Sequence, residues 1–141
     1  MLPKKKVTTP LAKPVEGTKS WWSGQGDNLD NSLSRQLTLP AQPATLSLQA
    51  WWDIEDCGPD PCDYAYVEVD SGAGFKPIPG SITRPAEGNG IDGVSEGWKP
   101  ATFDLSAFAG RTLQGHGCGG RYQYRSPAVA PPRRLGKAIM W

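Results

Sequence analysis

The sequence predicts an all-β fold, an antiparallel β-sandwich or jelly roll, on three observations. Two segments alternate apolar and polar residues with a period of two. No segment shows a period near 3.6, and turn-forming residues punctuate the chain at short intervals. Composition agrees: 141 residues include 17 Gly and 14 Pro, and hydrophobic residues make up 38%, a mix that builds many turns around one modest core. This length suits one domain and leaves little for a second.

The clearest strand lies within residues 44–55. Leu46, Leu48, Ala50 and Trp52 point one way, and Thr45, Ser47, Gln49 and Trp51 the other. Residues 63–70 repeat the pattern, with Ala65, Val67 and Val69 toward the core and Tyr64, Tyr66, Glu68 and Asp70 away from it. Asp70-Ser-Gly-Ala-Gly74 reads as a hairpin turn leading to a short strand near Phe75–Ile78. Residues 84–97 read as a long loop, Lys99–Leu105 as a further strand, and Ala109-Gly110 as a turn into Arg111–Gln114. Earlier in the chain, residues 20–35 are dense in Gly, Asp and Asn, which suggests an ordered loop with tight turns. The expected organisation is a disordered linker over 1–19, a sandwich over 20–114, and an irregular, disordered basic tail over 115–141.

Charge is unevenly spread. The net charge is +1, every acidic residue falls between Glu16 and Asp104, and only Arg and Lys carry charge beyond Asp104. So even a balance exerts no overall pull on nucleic acid or an anionic membrane, and neither is an expected partner. Tyr122 and Tyr124 in the basic tail are the one feature suited to single-stranded nucleic acid. No apolar run reaches the roughly 18 residues of a membrane-spanning helix. Lys4, Lys5 and Lys6 are not followed by an apolar stretch, so no signal peptide is expected.

Hydrolytic chemistry lacks its parts. A zinc protease motif places two His one helical turn apart with a Glu between, and this chain has one histidine, His116. A Ser-His-Asp or Cys-His arrangement would rest on that same residue. His116 lies in Gly115-His-Gly-Cys-Gly-Gly, a run too glycine-rich to hold an imidazole rigidly. Gly115, Gly117 and Gly120 match G-x-G-x-x-G without the following helix that a dinucleotide site requires. Cys57, Cys62, His116 and Cys118 have no usual zinc spacing, so no zinc is expected here.

Three constellations remain. Cys57 and Cys62 bracket a Gly-Pro-Asp-Pro turn that brings their Cα atoms within disulfide range. Such a small loop contributes about 2 kcal/mol and implies an oxidising compartment; two reduced thiols are the alternative. Asp27, Asp30, Glu55 and Asp63, in loops or at strand ends, are the expected ligands of a structural calcium ion, which takes six to eight oxygens; solvated turn aspartates are the alternative. Of Trp51 and Trp52, alternation forces one outward, where it could stack on a sugar ring or on another domain, core packing being the blander outcome.

Four ordered stretches then carry a resemblance. Ser20-Trp-Trp-Ser-Gly-Gln-Gly-Asp-Asn-Leu-Asp-Asn31, Trp51-Trp-Asp-Ile-Glu55, Asp63-Tyr-Ala-Tyr-Val-Glu-Val69 and Ala101-Thr-Phe-Asp-Leu-Ser-Ala-Phe-Ala-Gly110 resemble the noncatalytic β-sandwich (jelly-roll, MAM-like) region of immune inhibitor A-type metallopeptidases, which are secreted bacterial zinc proteases. The resemblance spans about residues 18–114. It implies an accessory domain C-terminal to a catalytic domain, extracellular as part of the parent protein, with calcium in some relatives. The expected partners are that catalytic domain and a glycan or protein substrate, and a carbohydrate-binding module is the alternative function. Past Ala109-Gly110 the family pattern would continue as an alternating strand and an acidic segment. Here the chain turns basic and glycine-rich near residue 115, as a shifted reading frame in a GC-rich gene would produce. Residues 115–141 are therefore expected to be non-native, leaving the sandwich without its closing strand.

Overall fold

Antiparallel pairing dominates, as the alternation requires. The structure, a computed structural model, describes residues 13–23, 30–58, 63–122 and 137–140, with backbone alone for 116–122 and 137–140. In chain order the strands are β1 (Asn31–Thr38), β2 (Thr45–Ile54), β3 (Asp63–Asp70), β4 (Phe75–Pro77), β5 (Gly93–Val94), β6 (Lys99–Asp104), β7 (Thr112–Tyr122) and β8 (Lys137–Met140). Two single 3-10 turns, Pro85–Glu87 and Ser106–Phe108, are the only helical elements among the described residues. The fold class is the all-β sandwich that the alternation predicts.

One sheet runs β1-β7-β3-β4. The other is built on β2, which pairs with β6 over Thr45–Ala50, with β5 at Asp53 and Ile54, and with β8 at Trp51 and Asp53. Asp53 is matched with both Val94 and Lys137, so β5 and β8 lie on opposite edges of β2. Between β5 and β6, the Ser95 N–H donates to the Trp52 carbonyl at 2.9 Å, which keeps β5 and β6 on one edge.

The core fills the space between the sheets. One cluster joins Val67 and Val69 of β3 to Ala101 and Phe103 of β6, Leu105 and Leu113. A second joins Ala50, Trp52 and Ile54 of β2 to Ala65 and Ile91. These are the inward positions that the period of two selects. On β3 the opposite face is also covered, for Tyr64 and Glu68 are buried. Residues 84–92 lie over Tyr64 so closely that a Cβ on Gly90 would sit 2.7 Å from the ring. The hairpin after β3 forms as its sequence predicts: Asp70 Oδ1 accepts from the Gly72 and Gly74 N–H groups at 2.7 and 3.0 Å, and both glycines take positive φ.

Differences from expectation fall in both sheets, since β5 forms within the expected 84–97 loop. Residues 31–38 form a full strand, where the sequence suggested loop through residue 35. Its only apolar positions are Leu33 and Leu37, too sparse to register as alternation; pairing with β7 supplies what its own composition lacks. β7 also runs beyond Gln114 to Tyr122, and β8 lies in the expected tail.

Candidate functional site

The most constrained polar site was not visible in the sequence. Residues 84–97 look like a loop, yet the chain folds back through a mutual pair of backbone bonds, Ala65 N–H to Ile91 and Ile91 N–H to Ala65, each 2.9 Å. That places Arg84 beside three carboxylates, Glu87 and Asp92 of its own segment and Asp56 just beyond β2. Its guanidinium lies 2.9 Å from Asp92 Oδ1 through Nε, 3.1 Å from Asp56 Oδ2 and 3.6 Å from Glu87 Oε1. The Asp92 side chain is fully buried. Its contact with Arg84 is one of charge, not alignment, since neither carboxylate oxygen makes a well-directed hydrogen bond, and Glu87 Oε2 is likewise without one.

Burial, followed by the neighbouring Glu87 charge, pushes the Asp92 carboxyl up from 3.8 to about 6, against the opposing pull of Arg84. Asp56 moves the other way: the Gly58 N–H bond leads in holding it below its usual value, with Arg84 assisting against desolvation. Arg84 is raised, chiefly by Asp92, and the Tyr64 hydroxyl is raised by its burial and then by Glu87. The cluster is tied to the core, because Trp52 Nε1 donates to the Asp92 carbonyl at 2.8 Å and the Trp52 N–H donates to Ser95 Oγ at 2.9 Å. Chemically this is a clamp: one guanidinium binds the 84–92 segment to the end of β2.

The residues expected to bind calcium are distributed at that end. Asn31 and Asp63 pair near the C-terminus of β7, opposite Gly119 and Tyr122, so the starts of β1 and β3 share one end of the sandwich. Asp30 is exposed just before β1, Glu55 is exposed just after β2, and Asp63 is half-buried; Asp27 lies outside the described residues. Among the described residues no three His, Cys, Asp or Glu side chains are grouped so as to hold a metal ion. Cys57 is disulfide-bonded, while Cys62 lies outside the described residues. Of the tryptophan pair, Trp52 is in the core with its indole N–H engaged, so it has no face to offer a ligand. Trp51 is the outward one and is half-buried.

A second feature went unread in the sequence. The outward face of β2 and β6 forms one wall of a groove of about 510 Å³, lined among others by Ser47, Gln49, Trp98 and Thr102, with Val15 and Lys19 on the opposite wall. Trp98 Nε1 donates to the Lys13 carbonyl at 2.8 Å. The signal was there in principle, an isolated Trp just before a strand, but nothing local shows that residues 13–20 pack over it. Among the described residues no helix is long and apolar enough to cross a membrane.

With this geometry in view, the chain's likenesses are informative. The family model for the immune inhibitor A-like MAM domain matches residues 1–116. The chain is 43% identical over 121 residues to the pre-pro-metalloprotease PrtV of Vibrio cholerae serotype O1, in strains M66-2 and ATCC 39315 / El Tor Inaba N16961 alike. The match covers 77% of this chain and 12% of each relative. No solved structure matches at a significant level.

Proposed function

Because this chain belongs to the immune inhibitor A-like MAM domain family, we propose that it is a noncatalytic accessory module of a secreted zinc metallopeptidase, holding structure or positioning substrate beside a catalytic domain. The observation that carries this reading is the match over residues 1–116 together with the likeness to a metalloprotease of which the chain spans only 12%. A single histidine in the chain leaves peptide cleavage to other parts of the parent. The test is to delete this module from the parent protease and assay both a short peptide and a folded protein. Substrate positioning predicts a selective loss on the protein; equal loss on both overturns it.

Two finer points belong to the same reading. Calcium binding by Asp27, Asp30, Glu55 and Asp63 is supported by the shared end at which the strands bearing the last three begin or finish. Titration calorimetry with Ca²⁺ checks it, and no heat with no rise in unfolding temperature sinks it. A reading-frame shift near residue 115 is supported by the family match ending at residue 116 and by β7, whose register turns Gly115, Gly117 and Gly119 toward the interior. Resequencing that finds the frame intact removes the idea.

Carbohydrate binding is a second reading, favoured by the groove beside Trp98, where Ser47, Gln49 and Thr102 place polar groups next to an indole. Glycan recognition stacks sugar rings on such faces while neighbouring polar groups fix orientation. Tryptophan fluorescence that stays unchanged across a panel of polysaccharides would argue against it.

A further inference from the structure

A buried carboxylate needs hydrogen-bond donors, and one left without them takes up a proton instead. Around Arg84 the donors are too few. Three carboxylates against one guanidinium leave a formal excess of two negative charges. Asp56 is well served: it is open to water, accepts the Gly58 N–H at 2.9 Å and takes Arg84 Nη2 at 3.1 Å. Asp92 and Glu87 are not. The Asp92 side chain has no exposed surface and that of Glu87 only 7%. Among the described residues, both Asp92 oxygens and Glu87 Oε2 are buried without a hydrogen bond.

The two carboxyl groups lie within hydrogen-bonding reach of each other. Arg84 faces Asp92 through Oδ1 and Glu87 through Oε1, which leaves Oδ2 of the one and Oε2 of the other. A single proton on Asp92 Oδ2, donated to Glu87 Oε2, satisfies both atoms. It also removes one of the two excess charges and keeps Oδ1 and Oε1 for the guanidinium. Paired carboxyl groups in a site closed to water share a proton on these grounds.

The pair sits where residues 84–92 fold back on the sandwich. Glu87 ends a 3-10 turn that has no side-chain cap, and Asp92 follows Ile91, which is wholly buried in the second core cluster. The segment is otherwise held by the Ala65–Ile91 backbone pair and by Trp52 Nε1 on the Asp92 carbonyl. Among the described residues, the charged or titratable groups facing Asp92 are Glu87 and Arg84 of its own segment, Asp56 beyond β2 and Tyr64 of β3. Burial and then Glu87 favour its protonated form, Arg84 opposes them, and Asp56 adds to them. Loss of the proton turns the Glu87–Asp92 tie from a hydrogen bond into repulsion between two buried charges.

We propose that Asp92 and Glu87 share one proton between Oδ2 and Oε2, and that this proton latches residues 84–92 over Tyr64 and Ile91, the segment tightening as pH falls and loosening as pH rises. The sign follows from where the proton is held. The closed segment keeps it and the lifted one, with Asp92 in water, releases it, so acid favours closure. With Asp92 pushed up to about 6, the change falls between mildly acid and neutral conditions, and the element it biases is this one segment. The inference does not depend on calcium, on glycan binding or on the protease reading.

The test follows the full chain by NMR from about pH 4 to about pH 8, with a chelator present so that no cation stands in for the proton. The Trp52 indole N–H, bonded to the Asp92 carbonyl, reports the pair, and amide exchange at Ala65 and Ile91 reports the latch. The indole resonance is expected to move with a midpoint at about 6. Protection at the two amides, corrected for intrinsic exchange, is expected to fall by about a hundredfold from about pH 4 to about pH 7. Glu87→Gln is expected to lower the midpoint by about one pH unit, because the like charge is gone. Asp92→Asn is expected to keep protection high at every pH, its amide N–H replacing the shared proton. An unchanged midpoint in Glu87→Gln means that burial alone raises Asp92, and it overturns the sharing. Protection that stays flat in the native chain, or still varies with pH in Asp92→Asn, overturns the latch. Should a variant fail to fold, the carboxyl carbons of the native chain decide: a shared proton moves the Asp92 and Glu87 resonances in one step, and a step confined to Asp92 removes the pair.

Discussion

Phe103 and Gly115 occupy equivalent inward positions on facing sheets, yet their surroundings differ sharply. Around Phe103 the packing is so close that a Cβ on Gly80 would lie 2.9 Å from the ring Cγ, while at Gly115 the same addition meets only the Arg35 carbonyl at 3.3 Å and Leu37 Cδ1 at 3.7 Å. The β3–β6 flank is a filled core in which the residues are buried to within a few per cent. The β1–β7 flank holds an apolar cleft, where Gly115 of β7 contributes backbone and no side chain. β7 pairs with β1 on one side and with β3 on the other, so the difference teaches that pairing alone closes a sheet and does not close a core.

The sharpest way to break that comparison is Phe103→Ala. Phe103 has no exposed surface, and removing so large a buried ring is expected to cost about 3–5 kcal/mol, read as a fall in the urea midpoint. A loss near zero would mean that this flank is as loose as the other.

Next is the buried carboxyl that the packed flank tolerates. For an acid whose folded pKa is raised, the folded state holds the proton more tightly, so stability falls as pH climbs from 3.8 toward 6 and the penalty is complete above that window. A displacement from 3.8 to about 6 corresponds to about 3 kcal/mol. Asp92→Asn is expected to flatten the stability profile between about pH 4 and pH 6, measured by denaturation at several pH values. An unchanged slope would show that Asp92 is not the group responsible. Asp56 and Asp104, both held low, act in the opposite sense and at lower pH, where stability is lost as they protonate.

Smaller effects separate the flanks directly. Gly80→Ala forces a methyl group against Phe103 and is expected to destabilise by about 1–3 kcal/mol. Gly115→Ala places the same methyl group in the cleft flank, where its tightest contact is the Arg35 carbonyl at 3.3 Å, relieved by a shift of a few tenths of an ångström. It is expected to stabilise by about 0.5–1 kcal/mol, the usual gain when glycine leaves a strand interior. Thermal unfolding of the two variants side by side checks the pair; a change of the same sign in both would remove the distinction drawn here.

Much of this architecture is legible in the chain itself. β2 and β3 announce themselves by a period of two over Leu46–Trp52 and Ala65–Val69, and the hairpin after β3 by Asp70 with its two glycines, because these signals are local. β1 is not legible: with Leu33 and Leu37 its main apolar positions, it is a strand only because β7 lies beside it. Nor is the Arg84 cluster, whose partners Asp56, Glu87 and Asp92 come together through the Ala65–Ile91 bridge and not through sequence spacing.

The sequence by itself determined the all-β class, the inward faces of the two best strands, the outward turn of Trp51 relative to Trp52, and the want of a two-histidine metal motif. Each follows from residue type and period, which need no partner. Only the tertiary structure decided which loop returns to bury Asp92, which tryptophan lines a groove, and which edge of β2 pairs with β6 along Thr45–Ala50. Those depend on where distant segments meet, and a buried charge or a paired edge is a property of what lies opposite.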